Sequence, residues 1–223
     1  MGRPLRDNDW PASSASVLRP TDQSAPTALR AHGPIRHVVI ASGNPHKVAE
    51  IASMLEELPL SFEAQPQGLD IEETGDTYLA NARLKAEGVA LATGHWALAD
   101  DSGLEVDALG GEPGLFSARY APTDHERIHR LLKALGETPY RSASFNSAMA
   151  LADPQGRIVL EAQGQVRGEI LTTPRGHGGG YDPIFWLRET GCSYAELNPY
   201  QRLRFGSRGH AARHMAAELL ALL

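Results

Sequence analysis

Two adjacent aspartates, Asp100 and Asp101, follow directly on the apolar run Trp96-Ala97-Leu98-Ala99. Such a run reads as a buried strand, and the carboxyl end of a buried strand is where open α/β sheets hold ligands. Neighbouring carboxylates repel each other unless a cation or hydrogen bonds compensate. Hard divalent ions such as Mg²⁺ take carboxylates together with phosphate oxygens, so the pair points to metal-assisted phosphate chemistry. Ser102-Gly103 is expected to turn the chain just beyond. Upstream, Glu72-Glu73-Thr74-Gly75-Asp76 adds acids ahead of a helix. Charge matching to the helix N-terminus accounts for at least one of them.

Cations and amides for an anion come from Ser42-Gly43-Asn44-Pro45-His46-Lys47. This segment lies between a strand and a helix, where backbone N–H groups and the helix dipole favour negative charge. It is not the Gly-x-x-x-x-Gly-Lys-Ser/Thr pattern. Taken alone, it fits a surface loop with a solvated lysine at least as well. Asn81 and Lys85 are four residues apart and share a helical face, so Lys85 could reach a phosphate if that face borders the acids; a solvated lysine fits the pattern equally well. The run Gly176-His177-Gly178-Gly179-Gly180, then Tyr181-Asp182-Pro183, is either a linker or a loop whose backbone can approach a ligand, and the apolar Ile184-Phe185-Trp186 that follows favours an anchored loop. Arg202, Arg204 and Arg208 precede or open the last helix. A cation is unfavourable at a helix N-terminus, so Arg208 implies a bound anion or a carboxylate partner. The pairs His125/His129 and His210/His214 have ligand-like spacing but no His-Glu-x-x-His context, and they read as surface residues.

The elements that must position these groups follow from periodicity. His37 to Ala41 is an apolar strand, and Val48, Ile51, Leu55 and Leu58 mark a helix over His46 to Leu58. A second helix is expected over Thr77 to Ala92, stopped by Gly94, and a third over Asp124 to Leu135. Ser142 to Ala152 and Arg157 to Arg167 flank Asp153-Pro154-Gln155-Gly156 as a β-hairpin. The last helix is expected over Ser207 to Leu223. This is an α/β pattern with mixed strands. Residues 1–34, rich in Pro, Ser, Thr, Ala and Arg, read as a disordered extension, leaving a single domain over 35–223.

Composition narrows the function classes. Among 223 residues, 42% are hydrophobic and 22% charged, as in ordinary globular proteins. The formal net charge of -6 argues against a broad grip on nucleic acid. It leaves room for a small anion held by local cations and a metal. The lone Cys192 permits no intrachain disulfide, no run of about 18 apolar residues marks a membrane span, and the N-terminus lacks a secretory core. The expected location is the cytoplasm.

Five segments resemble the inosine/xanthosine triphosphate pyrophosphatase family: IASGNPHKVAEI (40–51), EETGDTYLANARLKA (72–86), ADDSGLEVDALGGEPGLFSARYA (99–121), GYDPIF (180–185) and the SRG before the last helix. The resemblance spans about Val38 to Leu223. It implies a mixed, elongated β-sheet flanked by helices in two lobes, with a nucleotide cleft between them. It also implies a homodimer, Mg²⁺, and cleavage of ITP, dITP and XTP between the α- and β-phosphates. By position, Asp101 would activate water and help hold the metal, and Glu72 would be a second metal ligand. Ser42 to Lys47, Lys85 and Ser102 would meet the triphosphate. Gly179, Gly180, Tyr181, Asp182, Arg202, Ser207 and Arg208 would form the base and sugar end. The chain departs from the family pattern at three of these: Gly179 replaces a phenylalanine, Ser207 a histidine, and Arg202 a lysine. Two alternatives are a Maf-like pyrophosphatase of pyrimidine or modified nucleotides, and a regulatory protein that holds a triphosphate without cleaving it.

Overall fold

The computed structural model describes residues 35–223; the expected extension over 1–34 lies outside them. Seven strands form one mixed sheet in the order β2-β1-β3-β4-β5-β6-β7. Strand β1 (His37–Ile40) runs parallel to both β2 (Ser61–Ala64) and β3 (Trp96–Val106). Antiparallel pairing then carries β3 to β4 (Ser142–Ala152), β5 (Ile158–Ile170), β6 (Phe185–Leu187) and β7 (Cys192–Ser193).

The three long central strands pass through two hydrophobic cores, and this produces the two lobes. At one end, Trp96 and Leu98 of β3 and Met149 and Leu151 of β4 pack under helices α1 (Pro45–Met54) and α5 (Ser207–Leu220). On the opposite face of the same end, Ala97, Ala99, Ala150 and Ala152 meet Ala82, Ala86, Val89 and Ala90 of α2 (Tyr78–Thr93). These small side chains let the helix lie close to the sheet. At the other end, Leu104, Val106 and Ala143 join Ile184, Phe185 and Leu131 of α3 (Asp124–Leu135). Between the cores the strands turn polar: Asp100 to Gly103 on β3, Asn146-Ser147 on β4, and Gly164-Gln165 on β5. Apolar alternation is interrupted where the two lobes meet, and interruptions of that kind mark function.

Asp124–Leu135 and Ser142–Ala152 coincide with the expected bounds. Helix α1 ends at Met54 rather than Leu58, and α5 at Leu220. Strand β2 and a short helix α4 (Pro199–Phe205) were not anticipated. The largest correction is at Ser102-Gly103, which does not turn the chain: β3 continues through both to Val106, in register with β4 down to Val106 opposite Ala143. Cross-strand pairing to an eleven-residue neighbour overrides the local turn signal.

A candidate nucleotide site at the junction of two lobes

Because β3 is extended at Asp100 and Asp101, successive side chains point to opposite faces of the sheet. Asp100 shares its face with Ser102 and Asp101 shares its face with Gly103. The two acids therefore do not form one pair, and each has its own partners.

Asp100 is buried, with its side chain wholly covered, against two cations. Lys47 Nζ lies 2.7 Å from Oδ2 and Arg208 Nη2 lies 3.2 Å from the same oxygen. Arg208 also donates to Glu50 Oε2 at 2.6 Å and to Ser102 Oγ at 3.0 Å. Burial alone would raise the Asp100 pKa, but Arg208 and Lys47 outweigh it and hold the carboxyl well below the usual range. Burial lowers the Lys47 pKa, assisted by Arg208 and Lys85 and opposed by Asp100. The carboxylate partner inferred for Arg208 from its place at a helix start is thus double: Asp100 and Glu50. Gly164 makes this reach possible, since a Cβ there would stand 2.6 Å from the Ala211 amide nitrogen and collide with the Ser207 carbonyl. Its absence lets the first turn of α5 rest on β5.

On the opposite face, Asp101 accepts from Asn81 Nδ2 at 3.1 Å through Oδ2 and from Lys85 Nζ at 3.3 Å through Oδ1. Lys85 also donates to Glu73 Oε1 at 2.8 Å. Burial pulls the Lys85 pKa down, but Asp101 and Glu73 more than reverse this, and the ammonium is held. Burial likewise raises Glu73, but its bond to Lys85 prevails and lowers it. Of the two leading acids of the segment, Glu73 makes this contact, while Glu72 is exposed to solvent.

The two faces are within reach of each other across an open strand edge. β1 stops at Ile40, opposite Leu98, whereas β3 runs on to Val106. Between Leu98 and the antiparallel bridge of Glu105 to Pro113, this edge has no strand neighbour among the described residues, and its backbone meets side chains: the Asp100 carbonyl accepts from Lys47 Nζ at 3.0 Å and the Leu104 N–H donates to Ser117 Oγ at 2.9 Å.

A cavity of about 800 Å³ opens beside the Asp100 face, within the range of small-ligand pockets. Of the residues singled out in the sequence, Asn44, His46, Lys47, Ser102, Ser207 and Arg208 line its first half. Gly179, Gly180, Tyr181, Asp182 and Arg202 line the second. Ser42 and Gly43 belong to the adjoining loop, and Pro45 opens α1. Asp101, Lys85 and Glu72 lie off the cavity wall. The loop differs from expectation in one respect: Asn44 Oδ1 already accepts from the His46 and Lys47 N–H groups, at 3.0 and 3.4 Å. These two amides are engaged within the helix cap itself.

At the far end, Arg202 donates to Asp182 Oδ2 at 3.0 Å and stacks over Tyr194, 4.8 Å from its ring centre. Burial raises the Asp182 pKa against the opposing pull of Arg202. Asp124, at the start of α3, accepts from the Gly180 N–H at 2.7 Å and so fastens the glycine loop to the helix. Ser207 and Ser147 share a buried hydroxyl hydrogen bond of 2.9 Å. Glu50, Asp124, Ser147 and Tyr194 were not singled out from sequence. Glu50 had a usable signal, since it stands three residues after Lys47 on the same helical face. The other three are brought in by tertiary packing. His125 and His129 are exposed as expected; His210 and His214 are half-buried instead. His210 bonds the Gln165 and Arg204 carbonyls, and its place where α5 meets β5 explains the burial.

The donor set suits a hard cation. Asp101 and the acids at 72 and 73 offer only oxygens, and Asp100 Oδ1 is buried with no hydrogen-bond partner among the described residues. Such an orphan acceptor is satisfied by water or a cation. Among the described residues no group of three or more His, Cys, Asp or Glu is placed to hold an ion alone. One or two carboxylates completed by phosphate oxygens is the usual arrangement for Mg²⁺.

Fold and cavity together define an α/β protein with a ligand cleft between two cores of one sheet. The chain belongs to the Ham1 family, whose model matches residues 38–218. It is 52% identical over 190 residues to a dITP/XTP pyrophosphatase of Parasynechococcus marenigrum, covering 85% of this chain and 97% of the relative. A dITP/XTP pyrophosphatase of Nostoc sp. is 47% identical over 187 residues, covering 83% and 95%. Among solved structures, a HAM1 protein from Coxiella burnetii superposes with a TM-score of 0.76 at 41% identity, over 84% of this chain and all (100%) of the other. The Staphylococcus aureus Ham1 protein gives 0.74 at 36% identity, over 83% and 99%.

Proposed function

We propose that this protein hydrolyses nonstandard purine nucleoside triphosphates, dITP, XTP and ITP, to the monophosphate and pyrophosphate. The observation that carries the reading is the 52% identity to a dITP/XTP pyrophosphatase over nearly all of that relative's length. The site chemistry agrees with it. A triphosphate demands charge neutralisation and in-line placement more than covalent help. The nucleoside occupies the cavity, between the Asp182–Arg202 pair and the Ser147–Ser207 hydroxyls. The phosphate chain leaves past Lys47 and crosses the open edge of β3 toward Lys85 and Asp101.

In this reading Asp101 orients a water and takes its proton. The water oxygen bonds to the α-phosphorus, the bond from that phosphorus to the α–β bridging oxygen breaks, and pyrophosphate departs with the bridging oxygen. Asp101 and Glu72 would hold Mg²⁺, which on binding neutralises phosphate charge and draws electron density from phosphorus. Lys85 balances the Asp101 and Glu73 carboxylates until phosphate oxygens arrive. Ser42 to Lys47 shape the entry on the other side of the edge.

We further infer a homodimer, on the family resemblance, and a cytoplasmic location, consistent with a single cysteine that can form no intrachain disulfide. Among the described residues no helix is long and apolar enough to cross a membrane. The names of the relatives do not favour a Maf-like pyrophosphatase or a non-hydrolytic binder.

The test is to incubate the purified protein with Mg²⁺ and ITP, XTP, dITP, ATP, GTP or dUTP separately, measuring pyrophosphate and monophosphate with and without EDTA. The reading requires metal-dependent release that favours ITP, dITP and XTP. Preference for dUTP would redirect it to the pyrimidine alternative. Binding without release from any triphosphate would establish the regulatory one.

A further inference from the structure

Asn81 is 1% exposed, carries no charge, and has no part in the mechanism above. Both halves of its amide are nevertheless committed. Oδ1 accepts the Gly75 N–H at 2.8 Å, and Nδ2 donates to Asp101 Oδ2 at 3.1 Å. A backbone N–H only donates and a carboxylate only accepts, so the amide has one orientation that satisfies both. The contact with Gly75 is tight: a Cβ at position 75 would lie 2.7 Å from Asn81 Oδ1 and 2.7 Å from Ala80 Cβ. Only glycine allows the acidic segment to approach α2 this closely. One helical turn further on, Lys85 bridges Glu73 and the other oxygen of Asp101. The face of α2 carrying Asn81 and Lys85 thus ties together two separate acid-bearing stretches, the segment 72–76 and the middle of β3.

The two ties differ in kind. Lys85 brings a positive charge, which a phosphate can draw away. Asn81 is neutral, so it fixes the Asp101 carboxylate without cancelling its charge. It leaves Oδ1 as the oxygen that meets Lys85. We infer that Asn81 is a positioning residue: it sets the rotamer of Asp101 and the separation between Asp101 and the Glu72–Gly75 segment. Through these it controls divalent-cation affinity and the chemical step, while leaving the nucleoside end of the cavity alone. The inference rests on the assignment of Asp101 proposed above. Groups that orient metal-ligating carboxylates typically carry 10- to 100-fold in metal affinity or activity.

The test compares wild type with Asn81→Ala, Asn81→Ser and Asn81→Asp. Binding of Mn²⁺ is followed by electron paramagnetic resonance, with and without an α,β-imido analogue of ITP. Steady-state kcat and KM and the thermal midpoint are measured on the same samples. Asn81→Ala is expected to weaken Mn²⁺ binding about tenfold and lower kcat roughly 10- to 100-fold, with KM for the nucleotide within about threefold. Asn81→Ser, which keeps a short donor, should recover part of both. Asn81→Asp should do worse than alanine, because it sets a second carboxylate against Asp101. In an Asp101→Asn background, Asn81→Ala should cost almost nothing more, as expected for two residues acting through one group.

Wild-type Mn²⁺ affinity in a folded Asn81→Ala variant, or equal and additive losses in the Asp101→Asn background, would overturn the inference. So would a wild type that binds no Mn²⁺ in either condition. If Asn81→Ala unfolds, Asn81→Ser carries the same comparison. Should wild type bind Mn²⁺ in an Asn81-dependent way yet cleave no triphosphate, the proposed function fails, and with it the effect on the chemical step, while the control of cation affinity stands. If it cleaves triphosphate with Mn²⁺ binding indifferent to residue 81, only the positioning role fails.

Discussion

The two faces of β3 solve the problem of a carboxylate at the same strand in opposite ways. On the cavity face, Asp100 is covered and clamped by Lys47 and Arg208, and Glu50 completes a group with two positive and two negative side chains. On the α2 face, Asp101 remains 13% exposed and is held by one neutral amide and one lysine that it shares with Glu73. A buried, fully compensated acid holds elements together: here it joins α1, β3 and α5. An accessible acid with a displaceable cation is equipped for chemistry. Adjacency in sequence therefore says nothing of shared role once the chain is extended.

Removing the buried charge should have the largest effect on folding. Asp100→Asn leaves Lys47 and Arg208 facing each other with only Glu50 to offset them, and breaking a buried pair costs about 3–5 kcal/mol. The thermal midpoint should fall by roughly 10 °C, given about 2–4 °C per kcal/mol for a domain of this size. A midpoint within about 2 °C of wild type would show that the clamp contributes little. The same residue sets a pH limb. Its folded pKa lies below the ordinary value of 3.8, so its contribution is complete above that value and is lost as pH falls below it toward the folded pKa. Acid titrations of stability should show wild type losing this increment below about pH 4, with the limb flattened in Asp100→Asn; parallel curves would contradict the assignment.

A smaller effect, and on activity rather than folding, is expected on the other face. Lys85→Met leaves Asp101 and Glu73 without their shared cation. Loss of a charge-assisted bond worth about 1.5–3 kcal/mol should lower kcat/KM roughly 10- to 100-fold. Unchanged kcat/KM would mean that Lys85 serves the helix and not the substrate. The smallest change belongs to the cavity hydroxyls. Ser207→Ala leaves Ser147 Oγ without its partner, costing about 1 kcal/mol and less than tenfold in kcat/KM for dITP. A larger loss, confined to one base, would make Ser207 a determinant of base choice.

Sequence patterning revealed the elements that bury a continuous apolar stripe: α3 with Leu131 and Leu135, and the long hairpin of β4 and β5. It missed β2, whose residues are exposed except for a half-buried Phe62, and the two-residue β7, which is too short to carry a period. Helix α4 is seven residues long with no buried residue, so no apolar face announces it. Composition and spacing brought out Lys47, Asp101 and Arg208, because charge beside an apolar strand or at a helix start is conspicuous, and Lys85 through its four-residue spacing from Asn81. They did not reveal that Asp100 and Asp101 part company. Polar residues in mid-strand look like a turn until the neighbouring strands are known to continue. Asn81 drew notice only for sharing a face with Lys85; its hold on Gly75 depends on a loop whose path no local pattern specifies.

We propose that chemistry belongs to Asp101 and architecture to Asp100. This division is tested most directly by single-turnover pyrophosphate release from saturating dITP and Mg²⁺, comparing wild type with Asp101→Asn, alongside the equilibrium affinity for the α,β-imido analogue. Loss of a positioned proton acceptor predicts a rate lower by about 10²–10⁴-fold, with a thermal midpoint close to wild type and analogue affinity changed only a few-fold. A variant that cleaves dITP at the wild-type rate, or that loses activity only because it unfolds, would contradict the account.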